Sequence, residues 1–95
     1  MYQITNSPLA RQDLKDIWHY TYNKWGEKQA SKYLIELGEK VELLIENSEL
    51  GIVCTYITKY RQYPVNHHIT YYRIDGNNII IVRVLHEMMD PKRHL

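Results

Sequence analysis

Phenylalanine is absent from this chain, and cysteine occurs once, at Cys54. A single thiol excludes an intramolecular disulfide and a multi-cysteine zinc site, and it suits a reducing compartment, so a cytoplasmic protein is expected. Long apolar runs are missing too. The longest aliphatic stretch, Ile79-Ile80-Ile81-Val82, is far short of a membrane span, and no signal-like segment opens the chain. Walker loops, glycine-rich dinucleotide fingerprints and serine nucleophile elbows are absent, and no cofactor is expected. With 95 residues, the chain is read as a single domain, 1–95, whose working surface is a shallow groove in place of an enclosed cavity.

Nine tyrosines and two tryptophans stand where phenylalanine is missing. Each buried tyrosine brings a hydroxyl that needs a partner, so half-wet surfaces are expected. The net charge of +1 hides an asymmetry. Residues 1–50 carry six Lys/Arg against eight Asp/Glu, a net of −2, whereas residues 51–95 carry six against three, a net of +3, with four of the five histidines. The second half is therefore the side suited to an acidic partner.

Periodicity orders the chain. Residues 2–5 read as a short strand, and Ser7-Pro8 supplies an N-cap followed by proline at the first helical position. Leu14, Ile17, Trp18, Thr21, Tyr22 and Trp25 then form one stripe, broken at Gly26; Ala30, Tyr33, Leu34, Leu37, Val41, Leu44 and Ile45 form a second. Two such helices joined tightly make an antiparallel hairpin. After Gly51 the period becomes two, and residues 56–63, 67–74 and 78–86 read as strands, with turns at Val65-Asn66 and Asp75-Gly76. The expected fold is α+β: a short N-terminal strand, a helix hairpin and a three-stranded antiparallel sheet, in the order β-α-α-β-β-β.

A two-residue turn at Asp75-Gly76 places Tyr72, Ile79 and Ile81 on one sheet face, and Ile69, Tyr71, Ile80, Val82 and Val84 on the other. The second set is more aliphatic and is expected beneath the helices. Tyr72, Ile79, Ile81 and Leu85 are then left for a partner protein. Tyr71 and Tyr72 lie on opposite faces, so one is expected in the core and at most one in the partner groove.

The polar residues of the second half include Lys59, Arg61, His67, His68, Arg73, Arg83, His86, Asp90, Lys92, Arg93 and His94, with Tyr60, Tyr63, Tyr71 and Tyr72 among them. Arginine and tyrosine are common interface anchors, and they also bind phosphates and stack on bases. Metal-free RNA cleavage needs a base, an acid and cations for the phosphorane charge; His86, His67 or His68 and the arginines are the groups available. His86, Asp90 and His94 have helical metal-ligand spacing, but Pro91 opposes that helix and no metal site is expected.

Several segments together resemble a ParE-type toxin of the RelE/ParE toxin–antitoxin superfamily. They are Ser7-Pro8-Leu9-Ala10 with Asp13-Leu14 and Ile17; Trp25-Gly26 with Gln29-Ala30 and Tyr33; Ile69-Thr70-Tyr71-Tyr72-Arg73; and Arg83-Val84-Leu85-His86 followed by Met89-Asp90 and His94-Leu95. The resemblance implies a toxin neutralised by a small ParD-like antitoxin in a hetero-oligomer. It also implies DNA gyrase as the target, inhibited by protein contact, with no membrane association and no specific DNA binding by the toxin alone. In the related nuclease branch the toxin cuts mRNA on the ribosome, and Arg73 and His86 would then be the catalytic candidates; a non-toxic interaction module is the third reading the sequence leaves open. Glu87-Met88-Met89 lacks the Tyr or basic residue that branch places after its last strand. Under the resemblance, Arg61, Arg73, Arg83, His86, Asp90 and Arg93 are assigned to the target surface. Trp18, Tyr22, Leu37, Tyr72, Ile81 and Leu85 are assigned to the antitoxin-facing or supporting surface. Within the chain, Arg83 is expected to pair with Asp90 or Glu87. The family's glycine before Arg61 is replaced here by Tyr60.

Overall fold

The computed structural model describes residues 2–55, 57 and 59–95. Strand β1 (Gln3–Asn6) leads into helix α1 (Pro8–Trp25), then α2 (Glu27–Glu42) with a 3-10 turn at Leu43–Ile45. Strands β2 (Ile52–Val53), β3 (Arg61–Val65), β4 (His68–Asp75) and β5 (Asn78–His86) follow, and a 3-10 turn at Pro91–Arg93 closes the chain. The sheet order is β1-β5-β4-β3-β2; β1 runs parallel to β5 and the remaining neighbours are antiparallel.

Local chemistry sets the boundaries. The Ser7 hydroxyl accepts the Ala10 N–H at 3.0 Å and donates to the Val82 carbonyl at 2.7 Å, so the α1 cap is also tied to β5. Gly26, at φ 93°, ends α1 by donating its N–H to the Tyr22 carbonyl and opens α2, a conformation that side chains resist. β3 and β4 are joined through Asn66-His67, with Asn66 at φ 55°, a region asparagine tolerates.

The strand expected over 56–63 starts only at Arg61, because Cys54 N–H bonds the Tyr60 carbonyl and closes a loop ahead of it. Tyr56, where that strand was to begin, lies outside the described residues. Two residues of β2 were not anticipated. His67 belongs to the turn and not to β4, and the β4–β5 connection is Gly76-Asn77, with Asp75 opposite Asn78.

The choice of sheet face needs correction. Tyr72, Ile79 and Ile81 do share a face, but that face carries the helices: Ala10, Ile17, Leu37, Val41 and Leu44 pack on Val65, Tyr72, Ile79, Ile81 and Val84. The cause is a bulge. Tyr71 pairs with Arg83 while Tyr72 pairs with Ile81, so Val82 is an extra residue and every β5 side chain beyond it changes sides. Val84 joins Tyr72 beneath the helices, and Leu85 moves to the reverse face with Tyr71 and Cys54. There Ile57, Tyr60, Ile69 and Leu95 pack around them. Tyr71 and Tyr72 are both fully buried, and neither lines an open groove.

Tyr72 explains how its hydroxyl is accommodated in the core. It donates to the Ser48 carbonyl at 2.7 Å and accepts the Gly51 N–H at 2.9 Å. A Cβ on Gly51 would fall 2.7 Å from the Tyr72 ring, so only glycine allows this contact.

Candidate functional site

Arg83 is the most constrained of the residues assigned to the target surface. Its Nε and Nη2 each donate to a carboxylate oxygen of Asp13 on α1 at 2.8 Å, while Nη1 donates to the His94 carbonyl at 3.1 Å. Asp13 also accepts the Val84 N–H at 2.9 Å. Only 15% of the Arg83 side chain and 11% of the Asp13 side chain are accessible. The Asp13 hydrogen bonds and charge hold the guanidinium pKa above its usual value despite burial. The expected pairing with Asp90 or Glu87 is thus replaced by one with Asp13, although the C-terminal tail is pinned as anticipated, through His94.

Arg61 is likewise occupied, donating to the Gly51 carbonyl at 2.7 Å and anchoring the loop before β2. Its neighbour Tyr60 packs on the reverse face. Arg73 lies 3.5 Å from Asp75 with 40% of its side chain accessible. Asp90 caps the terminal 3-10 turn by accepting the Lys92 N–H, and Arg93 is exposed within that turn. The six residues therefore do not converge on one surface: Arg61 and Arg83 hold the framework together, and Arg73 and Arg93 face solvent.

His86 pairs across the sheet with His68, their rings perpendicular and 5.3 Å apart. Its Nδ1 accepts the Met88 N–H at 3.1 Å, leaving Nε2 to carry the proton. His68 meets Tyr33 of α2, with 2.6 Å between the hydroxyl and Nδ1. Burial, with help from His86 and His67, lowers the His68 pKa to about 4, and burial raises that of Tyr33. The imidazole is thus neutral and the phenol protonated, which makes the tyrosine O–H the donor. His67 sits apart and exposed, 2.8 Å from Glu87. Among the described residues, no three His, Cys, Asp or Glu side chains are grouped to hold a metal ion.

Two hollows flank α1. The wider, about 680 Å³, runs between α1 and the segment after β5 and is lined by Tyr20, His68, Arg83, His86, Met88 and His94 among others. Met88 is 84% exposed at its rim. The narrower, about 320 Å³, lies between α2 and the edge strand β1, with Leu37, Val41 and Ile81 among its walls.

The residues assigned to the antitoxin side divide sharply. Leu37, Tyr72, Ile81 and Leu85 are buried in the two cores; Leu37 and Ile81 reach the narrower hollow and Leu85 the wider one. Trp18 is half-buried and stacks on exposed Tyr22 at 5.0 Å between ring centroids. Both had been placed in the inward stripe of α1, as had Trp25, which is exposed with Lys24 above its ring. Sequence reasoning missed Asp13 as the partner of Arg83 and Tyr33 as the partner of His68. Asp13 carried one usable signal, a carboxylate on the turn before the inward residue Ile17.

Residues 4–91 match the sequence profile of a family described as the ParE toxin of type II toxin–antitoxin system, parDE. The chain is 40% identical over 91 residues to Toxin ParE1 of Mycobacterium tuberculosis, covering 94% of this chain and 93% of the relative. It is 36% identical over 90 residues to Toxin ParE1 of Caulobacter vibrioides, at the same coverage. Among solved structures, the chromosomal ParDE system of P. aeruginosa superposes with a TM-score of 0.81 at 20% identity, covering 90% of this chain and 96% of that one. The RelBE2 toxin–antitoxin complex of Mycobacterium tuberculosis superposes at 0.65 and 21%, with coverage of 90% and 96%. The bulged sheet beneath a capped helix hairpin is thus the RelE/ParE-like fold, and the chain belongs to the ParE toxin family of type II toxin–antitoxin systems.

Proposed function

We propose that this toxin inhibits DNA gyrase by protein contact and is neutralised by a ParD-like antitoxin in a hetero-oligomer. Family membership supports the toxin class, and the commitment of two of the three sheet arginines, Arg61 and Arg83, supports contact over catalysis. A nuclease must present cations to a phosphorane oxygen. Arg83 instead gives three donors to Asp13 and His94, and Arg61 is held by Gly51. His86 keeps one ring nitrogen on the Met88 backbone, and the residues after it, Glu87-Met88-Met89, supply no basic group.

On this reading the gyrase contact draws on solvent-accessible groups: Met88 at the rim of the wider hollow, Arg93 in the terminal 3-10 turn and Arg73 on β4. Arg61, Arg83 and Asp90 hold the segments that carry them. Purified toxin at stoichiometric ratio is expected to block gyrase supercoiling and to raise the cleaved-DNA complex, leaving ribosome-bound mRNA intact. Arg73→Ala should weaken the inhibition without altering folding. Unchanged gyrase activity with cut mRNA would transfer the toxin to the nuclease branch.

A further inference from the structure

One residue on the wall of the narrow hollow beside α2 has no side chain. The inward stripe of α2 runs Leu34, Leu37, Val41 and Ile45, and helical spacing places Gly38 within it, four residues after Leu34 and three before Val41. An apolar side chain is the ordinary occupant of such a position. Glycine there weakens the helix, since only proline is a poorer helix former. Packing within the chain does not require it: a Cβ built at Gly38 meets no atom within 4 Å. Backbone geometry does not require it either, because Gly38 is interior to a regular helix and its φ is not positive.

Gly38 lies on a notch of about 320 Å³ whose walls also include Leu14, Leu37, Val41 and Ile81, with Glu42 at its edge. That volume is at the small end of the roughly 300–1,000 Å³ typical of ligand sites. On its α2 side the surface is acidic, with Glu39, Glu42 and Glu46 exposed beside the notch, while Arg11, donating to the Asn6 carbonyl at 2.9 Å, is the cation on the side of α1 and β1. An apolar socket in an acidic surface complements an apolar anchor flanked by Lys or Arg. It is a poor match for an acidic peptide.

We propose that Gly38 is a specificity-determining residue whose missing side chain opens a socket for one apolar side chain of the antitoxin, from a segment with a basic residue facing Glu42. This rests on the antitoxin reading above and goes further in naming the position that admits the partner and the chemistry it admits.

The test uses the whole toxin and the purified antitoxin encoded beside it. Gly38→Leu fills the notch from within and is expected to weaken antitoxin binding about 30-fold, while the chain stays folded and toxic, so that antitoxin no longer rescues growth. Gly38→Ala is expected to raise the melting temperature by about 4 °C with a smaller loss of affinity. It serves as the reporter if the leucine variant misfolds. Glu42→Lys is expected to weaken binding about fivefold, more at low salt. Tight binding by a folded Gly38→Leu protein overturns the socket while leaving neutralisation intact. Failure of the wild-type chain to bind the antitoxin overturns the antitoxin reading and the socket with it. A wild-type dimer that Gly38→Leu dissociates, with antitoxin affinity unchanged, assigns the notch to a second copy and also overturns the proposal.

Discussion

Tyr71 and Tyr72 are consecutive, equally buried and on opposite faces of one strand, yet the structures that enclose them differ in kind. Tyr72 lies under two helices, in a core drawing on α1, α2 and three strands. Tyr71 lies under the loop before β3 and the chain terminus, with Ile57, Tyr60 and Leu95 as cover. The helix side is closed by elements that carry their own hydrogen bonds. The reverse side is closed by irregular chain and must be fastened to something else. Arg83 provides that fastening, since one guanidinium reaches α1 through Asp13 and the tail through the His94 carbonyl. A residue that looks like a surface cation in the sequence is thus the strap between the two sides.

Cutting that strap gives the largest expected effect. Asp13→Ala leaves a buried guanidinium without its carboxylate and the Val84 N–H without an acceptor. Removing one partner of a buried pair costs about 3–5 kcal/mol, and urea unfolding should show a loss in that range. The reverse face should loosen first, with faster amide exchange around Cys54 and Tyr71 than beneath the helices. Replacing both partners, Asp13→Leu with Arg83→Met, should recover much of the stability, because two matched apolar side chains leave no charge behind. A loss below about 1 kcal/mol for Asp13→Ala, within the range of exposed ion pairs, would show that the two faces are held independently.

Most of the fold was legible from short-range chemistry. Ser7-Pro8, Gly26 and the change from a three-to-four period to a period of two lie at the observed boundaries of α1, α2 and the sheet. The sides taken by Arg83, Val84 and Leu85 were not legible, because one extra residue, Val82, reverses the alternation of everything after it. No local signal marks that bulge: Val82 is β-branched in a run of β-branched residues. Of the residues assigned to function, Arg73 and Arg93 are accessible, as their polarity suggested, whereas Tyr22, read as inward, is exposed. Tyr72 and Ile81 were assigned outward through the wrong face, whereas Leu37 keeps the inward place of its stripe and Leu85 lies on the reverse face beneath the chain terminus. Arg83 and His68 depended on partners in the helices, Asp13 and Tyr33, some 70 and 35 positions away in sequence. Separations of that kind are set by the tertiary fold and leave no trace in periodicity.

The helix side makes a second comparison possible, through pH. His68 is kept neutral under α2, with its pKa lowered to about 4, whereas the unfolded chain takes up that proton near 6.5. Between those values the unfolded state binds more protons, so stability is complete above the unfolded pKa and falls as the pH drops toward 4. The loss attributable to His68 is about 2 kcal/mol between pH 7.5 and 4.5, after discounting for its partial exposure. Glu87 and Tyr33 are the other titratable groups besides the histidines that face it. His68→Gln should flatten the pH dependence by that amount in denaturant titrations at the two pH values, at the expense of a weaker contact to Tyr33. An equally steep fall in the variant would place the acid sensitivity elsewhere in the molecule.

The smallest effect tests how dry the helix-side core is. Among the described residues, the Thr70 hydroxyl oxygen is buried with no hydrogen-bond partner, on the strand position opposite Val84 and Tyr63. A buried hydroxyl without a partner carries a desolvation cost that a methyl group of similar shape avoids. Thr70→Val is therefore expected to raise stability by up to about 1 kcal/mol, measured as a shift of the urea midpoint with an unchanged slope. A destabilised variant would mean that the hydroxyl is satisfied by water in solution, and that the side closed by regular helices is the wetter of the two.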